Sequence, residues 1–155
     1  MIKNSLGKSG AGTIGEYIAN VRSTASPNLS NNTTASIDSG NSTLNDNNET
    51  GIILTTGIWD IQGTIYFVGS GTTNSTNLQA FIGTAKGNSA TGQVLYANTT
   101  VIATALSTPL GYTISTPIWR VTLSVSATYY LKSFISFSGG GTVSATGTLR
   151  ATRVG

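Results

Sequence analysis

Residues 57–69, GIWDIQGTIYFVG, alternate without a break. Trp59, Ile61, Gly63, Ile65 and Phe67 fall on one side, and Asp60, Gln62, Thr64 and Tyr66 on the other. A period of two over this length describes a β-strand with one face buried and the other turned to water. A helix would spread the same apolar residues around its circumference and bury none of them well.

The rest of the chain follows the same rule in shorter pieces. NLQAFIGTA predicts a second strand after the turn-rich GSGTTNST, and GQVLYANTTVIATAL predicts one or two more. PIWRVTLSVS points Trp119, Val121, Leu123 and Val125 inward, with Arg120, Thr122 and Ser124 outward. ATYYLKSFISFS follows, with Tyr129, Leu131, Ile135 and Phe137 on one side. After a GGG turn, Val143, Ala145, Leu149 and Ala151 share a face of TVSATGTLRATRVG. Seven or more short strands at regular spacing, with hydroxyl-rich outer faces, predict an all-β sandwich or barrel. Near the start, Ile14, Tyr17, Ile18 and Val21 fit either a short helix or an irregular first strand. Residues 23–50 read as polar loop with a short edge strand near residues 33–37.

Composition narrows the chemistry. Charged residues are 8% of the 155, where an ordinary globular protein carries roughly 25%. Threonine, serine, asparagine and 19 glycines take their place. There is no cysteine and no histidine, so thiolate metal sites, disulfides and a Ser-His-Asp triad are excluded. Only Glu16, Asp38, Asp46, Glu49 and Asp60 supply carboxylates, which makes an enzyme a poor expectation. Asp38, Asp46 and Glu49 share one polar loop, but their spacing matches no EF-hand, and no metal or other cofactor is expected. The net charge of +3 comes from scattered lysines and arginines without a dense basic run, so nucleic acid is not an expected partner. No apolar run has the length of a membrane-spanning helix, and no membrane insertion is expected.

The segment GKSGAGTIG carries two apparent phosphate-binding signatures, and both fail. A P-loop needs a glycine five residues before Gly7, where Ile2 stands. Gly10, Gly12 and Gly15 match G-x-G-x-x-G, but no strand-forming residues precede them and no strand–helix alternation follows. The segment reads instead as a glycine-rich tether.

Core packing is the plain reading for Trp59 and Trp119. Tyr66, Tyr130 and Phe134 fall on the outer side of their strands. Large aromatics there point to a covering subunit, with a covering loop as the other explanation. Tyr96, Tyr112 and the Asn-rich loops are the candidates for contact with a glycan.

Three stretches together carry a resemblance: GTIGEYI, GIWDIQGTIYF and YYLKSFISFSGGGTVSATGTLRATRVG. The chain resembles small bacteriophage virion proteins with a tumour-necrosis-factor-like jelly-roll domain, found as capsid decoration or head-fibre proteins and as tips of tail fibres or needles. The likeness spans roughly residues 50–155. It implies an antiparallel jelly-roll sandwich over residues 26–155, assembled as a homotrimer, with Tyr66, Tyr130 and Phe134 at the subunit contact. Residues 1–25 would then be a flexible or extended arm that docks the trimer on the major capsid protein or another virion protein through Lys3, Lys8, Ile14, Tyr17 and Ile18. Such a protein is made in the bacterial cytoplasm and displayed on the virion surface. The alternative it implies is a receptor-binding tip that recognises a host-surface glycan or protein.

Overall fold

In a computed structural model, the residues described are 12–22, 33–36, 51–70, 74–85, 93–99, 104–105, 111–138 and 142–155. Among them every regular element is a strand. These are β1 (Tyr17–Arg22), β2 (Thr33–Ser36), β3 (Gly51–Leu54), β4 (Gly57–Ser70), β5 (Asn74–Gly83), β6 (Gln93–Thr99), β7 (Thr104–Ala105), β8 (Gly111–Ser115), β9 (Trp119–Leu123), β10 (Ala127–Ser138) and β11 (Thr142–Arg153).

Among the described residues all strand pairings are antiparallel, and four sets of them are nested. The first strand lies beside the last, β1 against β11. Next inward, β2 and β3 take successive halves of one edge of β10. Then β8 and β9 share one edge of β4 in the same way, and β6 and β7 share one edge of β5. Pairing of β11 with β4 and of β10 with β5 completes two sheets. The first runs β1-β11-β4-β8/β9 and the second β2/β3-β10-β5-β6/β7. This nested order is that of a jelly roll, a double-sheet solution that leaves few open strand edges.

The alternation of β4 sets the core. Trp59, Ile61, Ile65 and Phe67 are fully buried, and buried Gly63 lies among them, facing Leu131 and Ile82 of the second sheet. A side chain at Gly63 would collide with Leu131 of β10. Leu78, Ala80 and Ile82 of β5, Tyr129, Leu131 and Ile135 of β10, and Val143, Ala145, Leu149 and Ala151 of β11 close the core. Trp119, Val121 and Leu123 pack against it as half-buried neighbours, and Trp119 meets Tyr129 edge to face at 5.6 Å. Val125 departs from its expected inward place and is 70% exposed. Strand β9 ends at Leu123, and the chain bends at residues 124–125 before β10 begins.

The segment with alternative readings, Ile14–Val21, is a turn that leads into strand β1. Ahead of it, Gly12 and Gly15 hold φ angles of +80° and +85°, so these two glycines answer to a turn. The Gly12 N–H donates to the Glu16 carboxylate at 2.6 Å, and Gly15 N–H donates to the Arg153 carbonyl at 2.8 Å. Strand β1, placed within the expected arm of residues 1–25, is thus an integral edge of the first sheet.

Candidate functional site

On the outer face of the first sheet, register sets side chains into rows. Tyr17, Thr152, Asp60 and Arg120 stand side by side on β1, β11, β4 and β9. In the next row Ala19, Arg150 and Gln62 are aligned. Thr152 is short between taller neighbours, and this difference in height makes a shallow, open depression of about 260 Å³. It is lined by Tyr17, Asp60, Gln62, Ile118, Arg150, Thr152 and Val154.

Its polar groups are fixed by one another. Arg120 donates from Nε and Nη2 to the two oxygens of Asp60, at 2.7 and 2.8 Å. Those hydrogen bonds, more than the charge itself, hold the Asp60 carboxyl below its ordinary pKa, and they raise that of Arg120. Gln62 donates from Nε2 to the Thr116 carbonyl at 3.2 Å and accepts from Arg150 Nη2 at its Oε1. Thr116 is buried and extends the ladder between β8 and β9: its N–H donates to the Gly63 carbonyl, while its Oγ1 accepts from Gly63 N–H at 3.0 Å. That anchor sets the place of Ile118, two residues on. Ile118 is 65% exposed and Tyr17 48% exposed at the rim.

The aromatics expected at a subunit contact do not share a surface. Tyr66 is exposed on the outer face of the first sheet, in register with Thr113 and Thr146. Tyr130 and Phe134 are half-buried on the outer side of the second sheet. Two of the three rings have work within their own chain. The Tyr66 ring covers Gly111, where an added Cβ would come within 2.6 Å of it, and the Tyr130 ring covers Gly51 at 2.9 Å. An aromatic laid over a glycine of a neighbouring strand shields backbone that has no side chain of its own.

The outer side of the second sheet is already covered in part. Phe81 and Lys132 are register partners on that side, and both are buried. Alternation alone assigned this side to solvent, and nothing in the local spacing of β10 marks Lys132 as buried.

Of the residues expected to dock the chain on a particle, Ile14 is exposed in the turn before β1, and Tyr17 lines the depression. Ile18 packs against the core and is the least available of the three. Lys3 and Lys8 lie outside the described residues, as do Asp38, Asp46 and Glu49. Among the described residues no three carboxylate, histidine or cysteine side chains converge. Of the glycan candidates, Tyr112 packs against the core from β8, and Tyr96 lies on β6 in register with Phe81. Sequence reasoning missed Arg150, Gln62, Thr152 and Ile118, which come together only through strand order.

No protein-family model matches the chain, and no curated protein matches it. Among solved structures, it is similar to a chain of infectious bursal disease virus, Gx strain, with a TM-score of 0.52 and 15% identity. That match covers 92% of this chain and 34% of the viral one. A match to the VP2 subviral particle of infectious bursal disease virus has a TM-score of 0.48 and 17% identity, covering 90% of this chain and 33% of that one. The chain spans about a third of the length of the viral chains it matches. What it shares with the first of them is the fold, a jelly-roll sandwich of two antiparallel sheets.

Proposed function

We propose that the chain is a structural protein of a virion, a bacteriophage capsid decoration or head-fibre protein displayed as a homotrimer and held on the particle by its N-terminal segment. The observation that carries this reading is the nested jelly roll, aligned over 92% of the chain with a chain from a virus structure. The sequence resemblance to phage virion proteins points the same way. Composition supports a non-catalytic role: the chain lacks histidine and cysteine, and of its five carboxylates Asp60 is engaged by Arg120 and Glu16 by a backbone N–H. A surface of hydroxyls with few ions suits an outer coat that attracts little non-specifically.

The first sheet supplies the subunit contact in this reading. The second sheet already buries Phe81 and Lys132 on its outer side, whereas the first leaves Tyr66 exposed. The attachment element is residues 1–11 with Lys3 and Lys8, continued by exposed Ile14. Three such segments on one trimer would bind a particle far more tightly than one.

Deleting residues 1–11 tests the reading. The expected product is a trimer by light scattering that no longer co-sediments with particles of the virus that encodes it. Truncated protein that still loads onto particles overturns the attachment role, and a monomer at all concentrations in the full-length chain overturns the trimer. Copy number on intact particles separates capsid decoration from a place on the tail.

A further inference from the structure

Beyond the virion role, the depression on the first sheet is built to receive a small anion. Its lining holds a single carboxylate, Asp60, and both oxygens of that group are held by Arg120. Among the described residues that line it, Arg150 is left as the uncompensated charge. Its guanidinium is oriented by Gln62, whose amide is in turn fixed by the Thr116 carbonyl, so the donors of Arg150 are set in place before any ligand arrives.

Apolar surface adjoins this charge. The Tyr17 ring and Ile118 flank the depression, and the Thr152 hydroxyl lies between Tyr17 and Asp60 at its floor. Two strand spacings, about 10 Å, separate the backbones of Tyr17 and Asp60. That span and a volume of about 260 Å³ sit at the small end of ligand sites and suit one sugar ring.

We propose that this depression binds a carboxylated pyranose, a uronic or sialic acid residue of a glycan. The carboxylate meets Arg150, the ring lies against Tyr17, and the ring hydroxyls meet Thr152 and Gln62. A peptide carboxylate is a poorer fit. The floor is formed by β11 and β4, interior strands with both edges paired, so no free backbone groups are offered to a peptide main chain. Tyr66 stands six residues along β4 from Asp60, about 20 Å away, so a subunit contact there leaves the depression open.

The experiment titrates the full chain with methyl glucuronide, methyl N-acetylneuraminate glycoside, methyl glucoside and an acetylated aspartate amide, followed by amide chemical shifts. At least one acidic sugar is expected to move Thr152 and Gln62, binding at least tenfold more tightly than the neutral glucoside. Arg150→Gln, at an exposed position, is expected to weaken that binding at least tenfold, and Tyr17→Ala to weaken it while keeping the preference for acid. The proposal is overturned if neither acidic sugar binds, if the neutral sugar binds as well, if the shifts lie elsewhere, if Arg150→Gln changes nothing, or if the aspartate amide binds more tightly than the sugars. Particle attachment through residues 1–11 is read in a separate assay and survives any of these failures.

Discussion

Arg153 lies over the indole of Trp59, its guanidinium carbon 5.5 Å from the ring centroid, and donates from Nη1 to the Thr55 hydroxyl at 3.1 Å. The indole N–H in turn donates to the Thr55 carbonyl at 2.9 Å. The end of β11 is thereby locked over the start of β4, and the space left for this stack is Gly57.

At Gly57 φ is +139°, a conformation that side-chain-bearing residues rarely adopt. A Cβ there would come within 2.6 Å of Arg153 Nη2 and 2.8 Å of the Gly155 carbonyl oxygen. Gly57→Ala is expected to destabilise by about 2 kcal/mol through backbone strain and loss of the stack. Urea unfolding followed by tryptophan fluorescence measures it; a midpoint equal to that of the parent protein refutes the account.

Gly63 offers a core counterpart with a built-in control. An alanine there meets the end of the Leu131 side chain, with Ile82 close behind, so Gly63→Ala is expected to cost about 1–3 kcal/mol. Leu131→Val alone is also destabilising, because it leaves a small void. Combined, the two substitutions should cost less than their sum, since the void takes up the new methyl. Additive values in the double-mutant cycle would show that the sheets do not meet at this point.

The Asp60–Arg120 pair predicts a pH effect of small size. The folded carboxyl titrates below the ordinary aspartate value near 3.8, chiefly because Arg120 donates to it. Its contribution to stability is therefore complete above that value and is lost as pH falls through the lower folded one. The pair is exposed, so the gain is slight. Carbon-detected NMR titration is expected to place the Asp60 midpoint below those of free aspartates, and Arg120→Met to return it; an unmoved midpoint in the variant contradicts the assignment.

Tyr129 predicts the opposite limb of the pH profile. Burial against Trp119 raises its phenol above the ordinary value of 10. Below pH 10 the phenol is neutral in both folded and unfolded chains and stability is unaffected. As pH rises past 10, the unfolded chain ionises first and stability falls until the folded group follows. Tyr129→Phe should flatten this alkaline loss in melting curves taken from pH 9 to 11. An identical alkaline slope in the variant would assign the loss to other groups.

The parts of the molecule that were legible in advance are those written in one strand at a time. The inward set of β4 and that of β11 were readable from alternation, because each has one buried and one wet face. On β10 the same reasoning correctly placed Tyr129, Leu131 and Ile135 but left Lys132 outside, since covering of the second face is not a property of the strand. Alternation places Tyr66 and Tyr130 as outward aromatics. Their partners Gly111 and Gly51 lie far away in sequence, so the local role of the rings was invisible. The depression was the least legible feature of all. Asp60, Gln62, Arg150 and Thr152 were each readable as outward positions, but their meeting with Tyr17 and Ile118 depends on which strands are neighbours, and that is decided by nesting.

Nesting also orders the way the molecule is put together. The pairs between β5 and β6 join residues close in sequence, such as Gly83 and Gln93, whereas Tyr17 must find Thr152. Each inner pair that forms shortens the loop to be closed by the next, so the long closure between β1 and β11 costs the least entropy once the inner pairs stand. As an edge strand with one partner, β1 can lift away without breaking any other strand pairing. When it does, β11 bares a full row of backbone groups that the β1 of a neighbouring copy can match, an exchange of identical strands that would tie two molecules together. Tyr17 travels with that strand, so an exchanged pair would each complete its depression with the ring of the other.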